Sequence, residues 1–600
     1  MRTGRPVKEE TPYKIIIHTN GGRRYASTKV AVVGEDGKKQ YRHRHWGTLD
    51  NENRFHPNVT YFNASPAERA KLVFPDGWVL DEATGRGEDK RGRVEYSKDD
   101  VDRQYGPTWF LDRVAERTGV RDDLMKVFGG NSEKVDRIMT LAYYPFIDNL
   151  TYSHLARWQK EVKSPTDISM TPKAVTMLTQ SITEQNRMDL FRQRAARVGK
   201  DELCAVDSTS ISTYGFNLVD IRWGRNKEHL PLRQTVEVVV YSITSHMPIF
   251  YLELPGNMPD SRTVELIMKE LEHAGFRNLI LITDRGYESL KNLELYISKR
   301  QKVITSVKTG QGDVLKRIKA IDMSSGIPEG MLYDPKNELF YSQYDCQYSV
   351  KGNGDNIIEA DRLKINLYFS VEGRAHAITA MQNDIFDQSI IAERLIASGQ
   401  IISDDKILRR QLNMLSLTID DKKHVLIKFE VDKEKRETRL RTSGFFASKT
   451  IGLDLNPLQA MDNYGMRDEQ EKCFQLQKGP LSQDRTRCWS EASKHGRMFI
   501  CFIGLILASY VRSIWESNDY LRRRFGSIES ILAEMRTIRC IEHKGRLKFI
   551  TPFVGDQVEI CKAFDFEMPV GCAPSYTSKA KAKNPKRGRP AKPKTEAQEI

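Results

Sequence analysis

The order of the elements predicted for residues 201–284 constrains this chain more than any other feature of its 600-residue sequence. Short apolar runs bounded by turn residues predict strands, and an apolar face at helical spacing predicts one helix. The order is strand, strand, strand, helix, strand, over Leu203–Val206, Thr235–Ile243, Ile249–Leu254, the helix between Pro259 and Gly275, and Asn278–Thr283. Because strands and helix alternate along one short segment, this region of the chain is predicted to be an α/β domain.

Two aspartates stand at the predicted ends of these strands. Asp207 follows the first strand and Asp284 follows the fourth. The order of elements and the placing of the acids are those of the first half of a ribonuclease H-like fold. Taken singly, either aspartate would more often be a strand-end cap or a turn residue than a functional acid.

A second constellation lies near residue 470. Tyr464, Arg467, Glu471 and Lys478 are offset by 0, 3, 7 and 14 positions, which in one helix places them at about 0, −60, −20 and −40°. Gly479-Pro480 then predicts the end of that helix. An aromatic, two cations and a carboxylate on one stripe do not form a packing pattern. The alternative is an exposed helix with i,i+4 ion pairing between Arg467 and Glu471.

Asp207, Asp284 and Glu471 form a candidate acidic trio. Cleavage of a phosphodiester requires neutralisation of phosphate charge and generation of a nucleophilic oxygen, and two divalent ions about 3.5–4 Å apart provide both. Carboxylate oxygens are the ligands that Mg²⁺ prefers. The trio therefore predicts a two-metal site for DNA chemistry, with two Mg²⁺ ions per active site and Mn²⁺ as a substitute.

Three segments resemble the acidic motifs of DDE transposases: AVDSTS (205–210), LITDRGYES (281–289) and YGMRDEQEKCFQLQK (464–478). The third resembles the Y-x2-R-x3-E-x6-K signature of the insertion-sequence-four superfamily of bacterial transposases. The resemblance implies that Asp207, Asp284 and Glu471 are catalytic and hold the metal ions. It also implies that Tyr464, Arg467 and Lys478 contact DNA phosphates near the cleaved end, and that a β-rich domain is inserted between Asp284 and Glu471.

The sequence predicts an α/β protein with a ribonuclease H-like core interrupted by a β-rich insertion. A small β-rich domain and a helical domain precede the core, and a disordered basic tail follows it. The predicted segments are a basic arm (1–11), a small β-rich domain (12–63), an irregular linker (64–106), a helical DNA-binding domain (107–200), the first core segment (201–310), the insertion (311–450), a second, helical core segment (451–535), short C-terminal strands (536–570) and the tail (571–600). Within the insertion, Thr438–Ala447 is one of the predicted strands.

The net charge of +14 favours an acidic partner such as nucleic acid, although a solvated basic surface explains the charge equally well. In the tail, Arg587, Gly588, Arg589 and Pro590 resemble an AT-hook, whose extended core fits the narrow minor groove of A·T tracts. The alternative is a basic tail that binds DNA without sequence preference. The segment with Arg485, Arg487, Trp489, Lys494, His495 and Arg497 is either a further DNA contact or ordinary surface charge.

The longest apolar run, Met498–Val511, would span about 21 Å as a helix. That length is short of a bilayer core of about 30 Å, so we predict a buried helix and no membrane association. Eight cysteines without a CxxC pair are typical of a reducing cytoplasm. We therefore expect a cytoplasmic, nucleoid-associated bacterial protein.

Together these features predict a cut-and-paste DNA transposase that acts on double-stranded DNA. Its partners would be the terminal inverted repeats of its own element and the target DNA, with a homodimer holding the paired ends. One alternative is a catalytically inactive, transposase-derived protein that binds A·T-rich DNA. Another is a ribonuclease H-like nuclease that nicks DNA without strand transfer.

Overall fold

A computed structural model describes residues 13–20, 22–33, 39–50, 53–58, 60–61, 64–80, 101–224, 232–310, 312–351, 357–542 and 548–569. The basic arm, Arg587, Gly588, Arg589, Pro590 and the rest of the predicted tail beyond residue 569 lie outside the described residues. The chain divides into two compact units, each discontinuous in sequence. Unit 1 comprises Met1–Arg113, Ala156–Asp167 and Ile514–Ile600, and unit 2 comprises Val114–Leu155 and Ile168–Ser513.

Unit 1 contains a five-stranded sheet near the N-terminus. Its first strands are β1 (Tyr13–Lys14), β2 (Ile16–Asn20), β3 (Arg23–Val33), β4 (Lys39–Leu49) and β5 (Arg54–Pro57), followed by helix α1 (Pro66–Arg69), β6 (Leu72–Val73) and β7 (Val79–Leu80). The sheet has the order β2-β3-β4-β5-β7, and β1 pairs separately with β6. Trp46 and Phe55 are buried in its core, which explains why this short segment forms a packed layer.

A second sheet in unit 1 joins two segments that are distant in the sequence. Strand β8 (Val101–Gln104) pairs with β22 (Arg539–Glu542), which pairs with β23 (Lys548–Ile550). The predicted linker (64–106) therefore ends in a strand and belongs with the C-terminal segment. The predicted strands of residues 536–570 are accompanied by a helix. The helices around this sheet are α2 (Gly106–Arg117), α5 (Leu155–Glu161), α17 (Asp519–Arg524), α18 (Ile528–Met535) and α19 (Asp556–Ala563).

The segment between α2 and the central sheet of unit 2 is helical, as the sequence predicted for residues 107–200. Its remaining helices are α3 (Val120–Val127), α4 (Ser132–Asp148), a 3₁₀ turn (Tyr152–His154), α6 (Pro172–Gln180) and α7 (Glu184–Ala195). Each of α4, α6 and α7 begins at a side chain that accepts a hydrogen bond from the helix backbone, contributed by Asn131, Thr171 and Thr183 respectively.

Unit 2 is built on a nine-stranded mixed sheet with the order β11-β10-β9-β12-β13-β21-β18-β15-β14. Strand β9 runs parallel to β12, and β12 runs parallel to β13, while the other neighbours are antiparallel. The first elements of unit 2's sheet region are β9 (Leu203–Thr213), β10 (Arg233–Ser242), β11 (Met247–Pro255), a 3₁₀ turn (Asp260–Arg262), α8 (Val264–His273) and β12 (Ile280–Thr283). This confirms the predicted order of strands and helix.

The first strand is longer than predicted. The sequence placed its end at Asp207, but β9 continues to Thr213, and β10 pairs with it along its length from Cys204 to Thr213. The serines and threonines of residues 208–213 carry no apolar signal, yet Ser208, Thr209 and Ser210 are buried. Their backbone groups are satisfied by the ladder with β10, so pairing extends the strand where hydrophobicity does not.

Four strands of the predicted insertion continue the central sheet, and its other four strands form two separate two-stranded sheets, β16-β17 and β19-β20. Strand β21 pairs with β13, and β18 pairs with β21, so the ladder runs unbroken from the core into residues 311–450. The strands that follow β12 are β13 (Lys302–Val307), β14 (Leu332–Asp334), β15 (Leu339–Asp345), β16 (Ser349–Lys351), β17 (Ile357–Glu359), β18 (Lys364–Ser370), β19 (Leu415–Ile419), β20 (Leu426–Val431) and β21 (Phe445–Ile451).

The same segment is also more helical than predicted. Its helices, with the one that precedes β13, are α9 (Leu290–Ser298), α10 (Gly312–Ala320), α11 (Val371–Ser398), α12 (Asp405–Gln411) and α13 (Lys433–Thr442). Another 3₁₀ turn, Arg285–Tyr287, precedes α9. The predicted strand Thr438–Ala447 is wrong in its first half, which belongs to α13. Asp432 caps that helix by accepting a bond from the Lys435 N–H, and Gly444, at φ +83°, turns the chain into β21.

Three helices fill most of residues 457–517, as the sequence predicted for residues 451–535. The helices are α14 (Pro457–Gly465), α15 (Asp468–Lys478) and α16 (Glu491–Ser517). Helix α16 contains the apolar run and is, among the described residues, the one helix long and apolar enough to cross a membrane. In its most apolar window 72% is buried inside the protein, which is typical of a core helix and confirms the predicted burial.

Candidate active site

Asp207 and Asp284 lie side by side on neighbouring parallel strands. The register pairs Val206 of β9 with Thr283 of β12, so the two aspartates occupy the next position of each chain. Paired strands lie about 4.8 Å apart, which brings the two carboxyl groups to one place. The Asp207 carboxylate accepts a 2.8 Å bond from the Ser208 N–H. Asp284 ends β12 and begins the 3₁₀ turn, where its carbonyl accepts a bond from the Tyr287 N–H.

The single helix predicted for residues 464–478 is two helices. Helix α14 ends at Gly465 and α15 begins at Asp468. Between them the N–H groups of Arg467, Glu469 and Gln470 donate to carbonyls three residues back, not four. This 3₁₀ spacing turns the chain by about 120° per residue, so Tyr464 is rotated away from the stripe calculated for a continuous helix.

Arg467 lies at this break and links two of the three acids. Its Nη1 lies 3.5 Å from Asp207 Oδ2, and its Nη2 lies 3.1 Å from Glu471 Oε1. The Tyr464 hydroxyl donates to Asp284 Oδ1 at 3.2 Å. The structure therefore brings the predicted trio together around Arg467 and Tyr464, although the sequence separates Asp284 from Glu471 by 187 positions.

The pKa of Arg467 reflects the negative charge of the groups around it. Burial opposes its charged form, but Tyr464, Asp284, Asp207 and Glu471 outweigh burial and raise the pKa of the guanidinium. All three acids thus act on one cation. The arrangement is a compact group of carboxylates whose centre the Arg467 guanidinium occupies.

Two glutamines that the sequence analysis did not single out fix α15 against the sheet. Gln470 Nε2 donates to the Val239 carbonyl of β10 at 2.5 Å. Gln477, one heptad later, donates to the Glu237 carboxylate. Both amides are fully buried, whereas the Glu471 side chain is 55% exposed. Their seven-residue spacing places them on one face of the helix, and that spacing was the available signal.

Lys478 is not brought to the acids. It lies seven residues beyond Glu471, which is about 10 Å along the helix axis. There it lines a cavity of about 600 Å³ together with Arg485, Arg487 and Arg497. The rest of its lining combines apolar side chains from α4, α6 and α16 with polar side chains from the segments that follow α4 and α15. The end of α15 at Lys478, before Gly479, is as predicted.

Two residues of the basic segment that follows form ion pairs with carboxylates of unit 2. Lys494 is buried and pairs with Glu491 at 2.9 Å and with Asp220 at 3.3 Å. His495 pairs with Glu253, and this bond raises the pKa of the imidazole. The sequence left a DNA contact and ordinary surface charge open for both residues. Burial excludes ordinary surface charge for Lys494, whereas His495 is exposed and pairs with Glu253 at the surface.

Glu237 is a further carboxylate of this region, and its pKa is strongly raised. It lies opposite Glu253 in the β10–β11 ladder and is buried. Burial, and then the charge of Glu253, raise the pKa of Glu237 to about 8, against a smaller opposing effect of the bond from Gln477. A protonated Glu237 therefore connects the sheet to α15.

Metal binding at the trio can be judged from its donors. Within the described ranges, no group of three His, Cys, Asp or Glu side chains is spaced to hold a metal ion. The donors themselves fit a hard divalent cation, because all are carboxylate oxygens and they converge on one positive charge. Glu471 is exposed and held at this place by Arg467, so a change of its rotamer alters the spacing without disturbing the core.

Residues 199–381 match the family described as the transposase DDE domain. The match covers less than a third of the chain and includes Asp207 and Asp284, but it ends before Glu471. No curated protein has a significant match to the chain. A cryo-electron-microscopy structure of a piggyBac transposase synaptic complex with hairpin DNA aligns with 68% of this chain and 76% of that chain, at 11% identity and a TM-score of 0.23. That score is too low to support an argument.

Proposed function

We propose that this protein is a DDE-class DNA transposase of the insertion-sequence-four type, with a ribonuclease H-like catalytic core. The observation that carries the proposal is the meeting of Asp207, Asp284 and Glu471 around Arg467, in a chain whose residues 199–381 match the transposase DDE domain. The third acid comes from beyond the matched segment. Because Glu471 lies beside the other two acids, a functional site explains the arrangement better than three unrelated surface carboxylates do.

The side chains of the site divide the work between them. Asp207, Asp284 and Glu471 would hold two Mg²⁺ or Mn²⁺ ions, which when bound supply charge neutralisation and an activated oxygen for in-line displacement at phosphorus. Arg467 and Tyr464 would then turn from the carboxylates to the DNA phosphate beside the cleaved bond. Lys478, about 10 Å further along α15, would contact the backbone at a neighbouring phosphate. Because one short helix carries Glu471 and Lys478, their separation is fixed.

The proposed reaction is cut-and-paste transposition. Hydrolysis at each end of the element frees a 3′-hydroxyl, which attacks the target strand at the same site. The partners are double-stranded DNA of the terminal inverted repeats and of the target, with a homodimer holding two ends together. The segment from Arg587 to Pro590 would act as an AT-hook on flanking A·T-rich DNA. We place the protein in the bacterial cytoplasm, associated with the nucleoid.

One observation favours a second candidate, a catalytically inactive protein of transposase origin that binds A·T-rich DNA. Arg467 pairs with both Asp207 and Glu471, and the described acids are not grouped at metal-holding distances. If this pairing persists on DNA, the carboxylates serve only to position Arg467. The two candidates differ in a single measurable property, which is cleavage that depends on a divalent ion.

The test uses the full chain and the DNA that flanks its gene on both sides, carrying the inverted repeats. Wild-type protein with Mg²⁺ should cleave at the repeat boundary, and Asp207→Ala and Glu471→Ala should abolish cleavage while gel-shift binding persists. Asp468→Ala is the matched control, since that acid lies on the same helix and should leave cleavage intact. Binding without cleavage in Mg²⁺ and in Mn²⁺ establishes the inactive candidate.

A supercoiled target plasmid in the same reaction separates transposition from simple nuclease action. Joining of the freed 3′ end to the plasmid is expected for a transposase. Nicks at the repeat boundary with no joined product would identify a ribonuclease H-like nuclease instead.

A further inference from the structure

The loop after β9 and the segment after α15 carry four exposed aromatic side chains. They are Tyr214, Phe216 and Trp223 on the loop and Trp489 on the segment, and we call them the aromatic surface. Trp489 is 81% exposed and Phe216 is 76% exposed, which are the highest values among the large hydrophobic residues of the described chain. Aromatic rings of this size are costly to leave in water, so their exposure on one surface indicates a binding site.

The described part of the loop, residues 214–224, is anchored by hydrogen bonds despite its exposed rings. At one end the Thr486 N–H donates to the Ser212 carbonyl at 3.1 Å, and Thr213 Oγ1 donates to the Thr486 carbonyl at 3.2 Å. At the other end Arg222 and Gln234 exchange two backbone bonds of 3.0 and 2.9 Å. The Val219 N–H between them donates to the Glu491 carboxylate.

The apolar residues of the loop form two groups, one buried and one exposed. Leu218 and Ile221 are buried and anchor it to the protein. Tyr214, Phe216 and Trp223 point the other way, into solvent. A loop that lacked a ligand would need only the anchors. The outward rings are therefore additional to what the fold requires.

A cation accompanies the rings. The Arg233 guanidinium lies 5.5 Å from the Phe216 ring centre and 5.9 Å from that of Trp223. Arg485 pairs by its backbone with Ser212 at the base of the loop. Aromatic rings interleaved with arginines are the composition of surfaces that stack nucleobases and neutralise phosphates. A protein-binding surface of the same size would not need this positive charge.

The aromatic surface has a fixed relation to the acids. Asp207 and Thr213 belong to the same strand, and six residues of β-strand span about 20 Å. Helix α15 packs along β9 and leads from Glu471 to the segment that carries Trp489. At a rise of about 3.4 Å per nucleotide, 20 Å corresponds to roughly six nucleotides of stacked DNA.

We propose that the aromatic surface binds unpaired nucleotides of a DNA strand, by stacking bases on Trp489, Phe216 and Trp223, about six nucleotides from the scissile phosphate. This rests on the proposed function, from which it takes DNA as the ligand. Stacking is tolerant of sequence because every base has a π-face. The surface would hold open the strand next to the cut, independently of the recognition of the repeat sequence.

The experiment measures binding of the full-length protein to oligothymidine of fifteen nucleotides and to a duplex of the same length, by fluorescence anisotropy at one salt concentration. Trp489→Ala and Phe216→Ala should each weaken oligothymidine binding roughly tenfold, with duplex binding unchanged. Trp489→Phe should retain most of the affinity. Phe386→Ala on α11 is the matched control, because that ring is 65% exposed and lies in the same unit. It should behave as wild type.

Wild-type affinity of Trp489→Ala and Phe216→Ala for oligothymidine would overturn the proposal, as would an equal loss in Phe386→Ala. If Trp489→Ala instead reduces the oligomeric state by light scattering with oligothymidine binding intact, the surface is a protein interface. Cleavage is scored separately on the same preparations. Cleavage with no aromatic dependence of binding rejects this inference alone, whereas aromatic-dependent binding with no cleavage rejects the transposase function alone.

Discussion

The central sheet and the two helices α14 and α15 contribute to the candidate site in different ways. Asp207 is paired with Val239 of β10, and Asp284 directly follows the β12 residue that pairs with Val206. Glu471 is exposed on a helix that begins just after a break, and it pairs with Arg467 across one helical turn. Two acids are thus placed by the fold, and the third is placed by a side-chain pair.

This difference indicates how the site can accept its substrate. A pair of acids fixed by the sheet defines one position rigidly, at no further entropic cost on binding. Glu471, Arg467 and Tyr464 can rearrange around that position because they are carried by the helix pair. The buried amides of Gln470 and Gln477 limit the movement to side chains by fixing α15 to β10.

The largest expected effect comes from the fixed pair. Asp207→Asn or Asp284→Asn should lower the single-turnover rate of DNA cleavage by about a thousandfold or more, equivalent to ~4 kcal/mol. Glu471→Gln should lower it less, by roughly ten- to a hundredfold, because the amide keeps one oxygen ligand on an exposed side chain that can change its rotamer. Equal losses in all three variants would show that the two regions are equally rigid.

The next largest effect is expected at Glu237, the buried carboxylate of β10 that is hydrogen-bonded to α15. The pKa of Glu237 is raised to about 8, so the folded protein keeps a proton that the unfolded chain releases above its ordinary pKa of 4.5. The stability contributed by Glu237 is therefore complete below pH 4.5 and is lost as the pH rises to about 8. Wild type should lose on the order of 5 kcal/mol of unfolding free energy across this window.

Glu237→Gln is the matched variant for that pH dependence. Its neutral amide can still accept the bond from Gln477, so its denaturation midpoint in urea should vary less between pH 5 and pH 8.5. At the upper pH it should be more stable than wild type. Parallel pH profiles for the two proteins would mean that Glu237 does not carry the buried proton.

A smaller effect is expected from detaching α15. Gln470→Leu removes the donor to the Val239 carbonyl, at a cost of roughly 1–1.5 kcal/mol in urea unfolding. Because α15 then moves against the sheet, cleavage should fall while duplex binding persists. Gln475→Leu is the control, since that residue is exposed on the same helix. A loss in Gln475→Leu as large as in Gln470→Leu would exclude the anchoring role.

The smallest effect tests the contact between Tyr464 and Asp284. Tyr464→Phe removes one hydrogen bond of 3.2 Å to a carboxylate that the sheet already positions. The cleavage rate should drop about three- to tenfold, in line with a bond worth roughly 0.5–1.5 kcal/mol. A loss comparable with that of Asp284→Asn would mean that the tyrosine, and not the strand, positions the acid.

The residues of the site could be named from the sequence because local patterns mark them. Apolar runs that stop at an acid predicted the neighbourhood of Asp207 and Asp284, and Gly479-Pro480 predicted the end of α15. Spacing did not predict the break at residues 466–467, because helical periodicity assumes four-residue hydrogen bonds throughout. Nor did it reveal Gln470 and Gln477, whose burial depends on β10 lying beneath them.

The sequence alone determined the order of strands and helix in residues 201–284 and the helical character of residues 107–200, since these depend on neighbours in the chain. The tertiary structure decided the register of β9 against β12, the extension of the sheet into residues 311–450, and the pairing of β8 with β22. Every residue other than proline offers the same backbone donor and acceptor, so residue types do not specify which distant segments pair. They form where burial forces each N–H and carbonyl to find a partner, and only the folded chain fixes which partner that is.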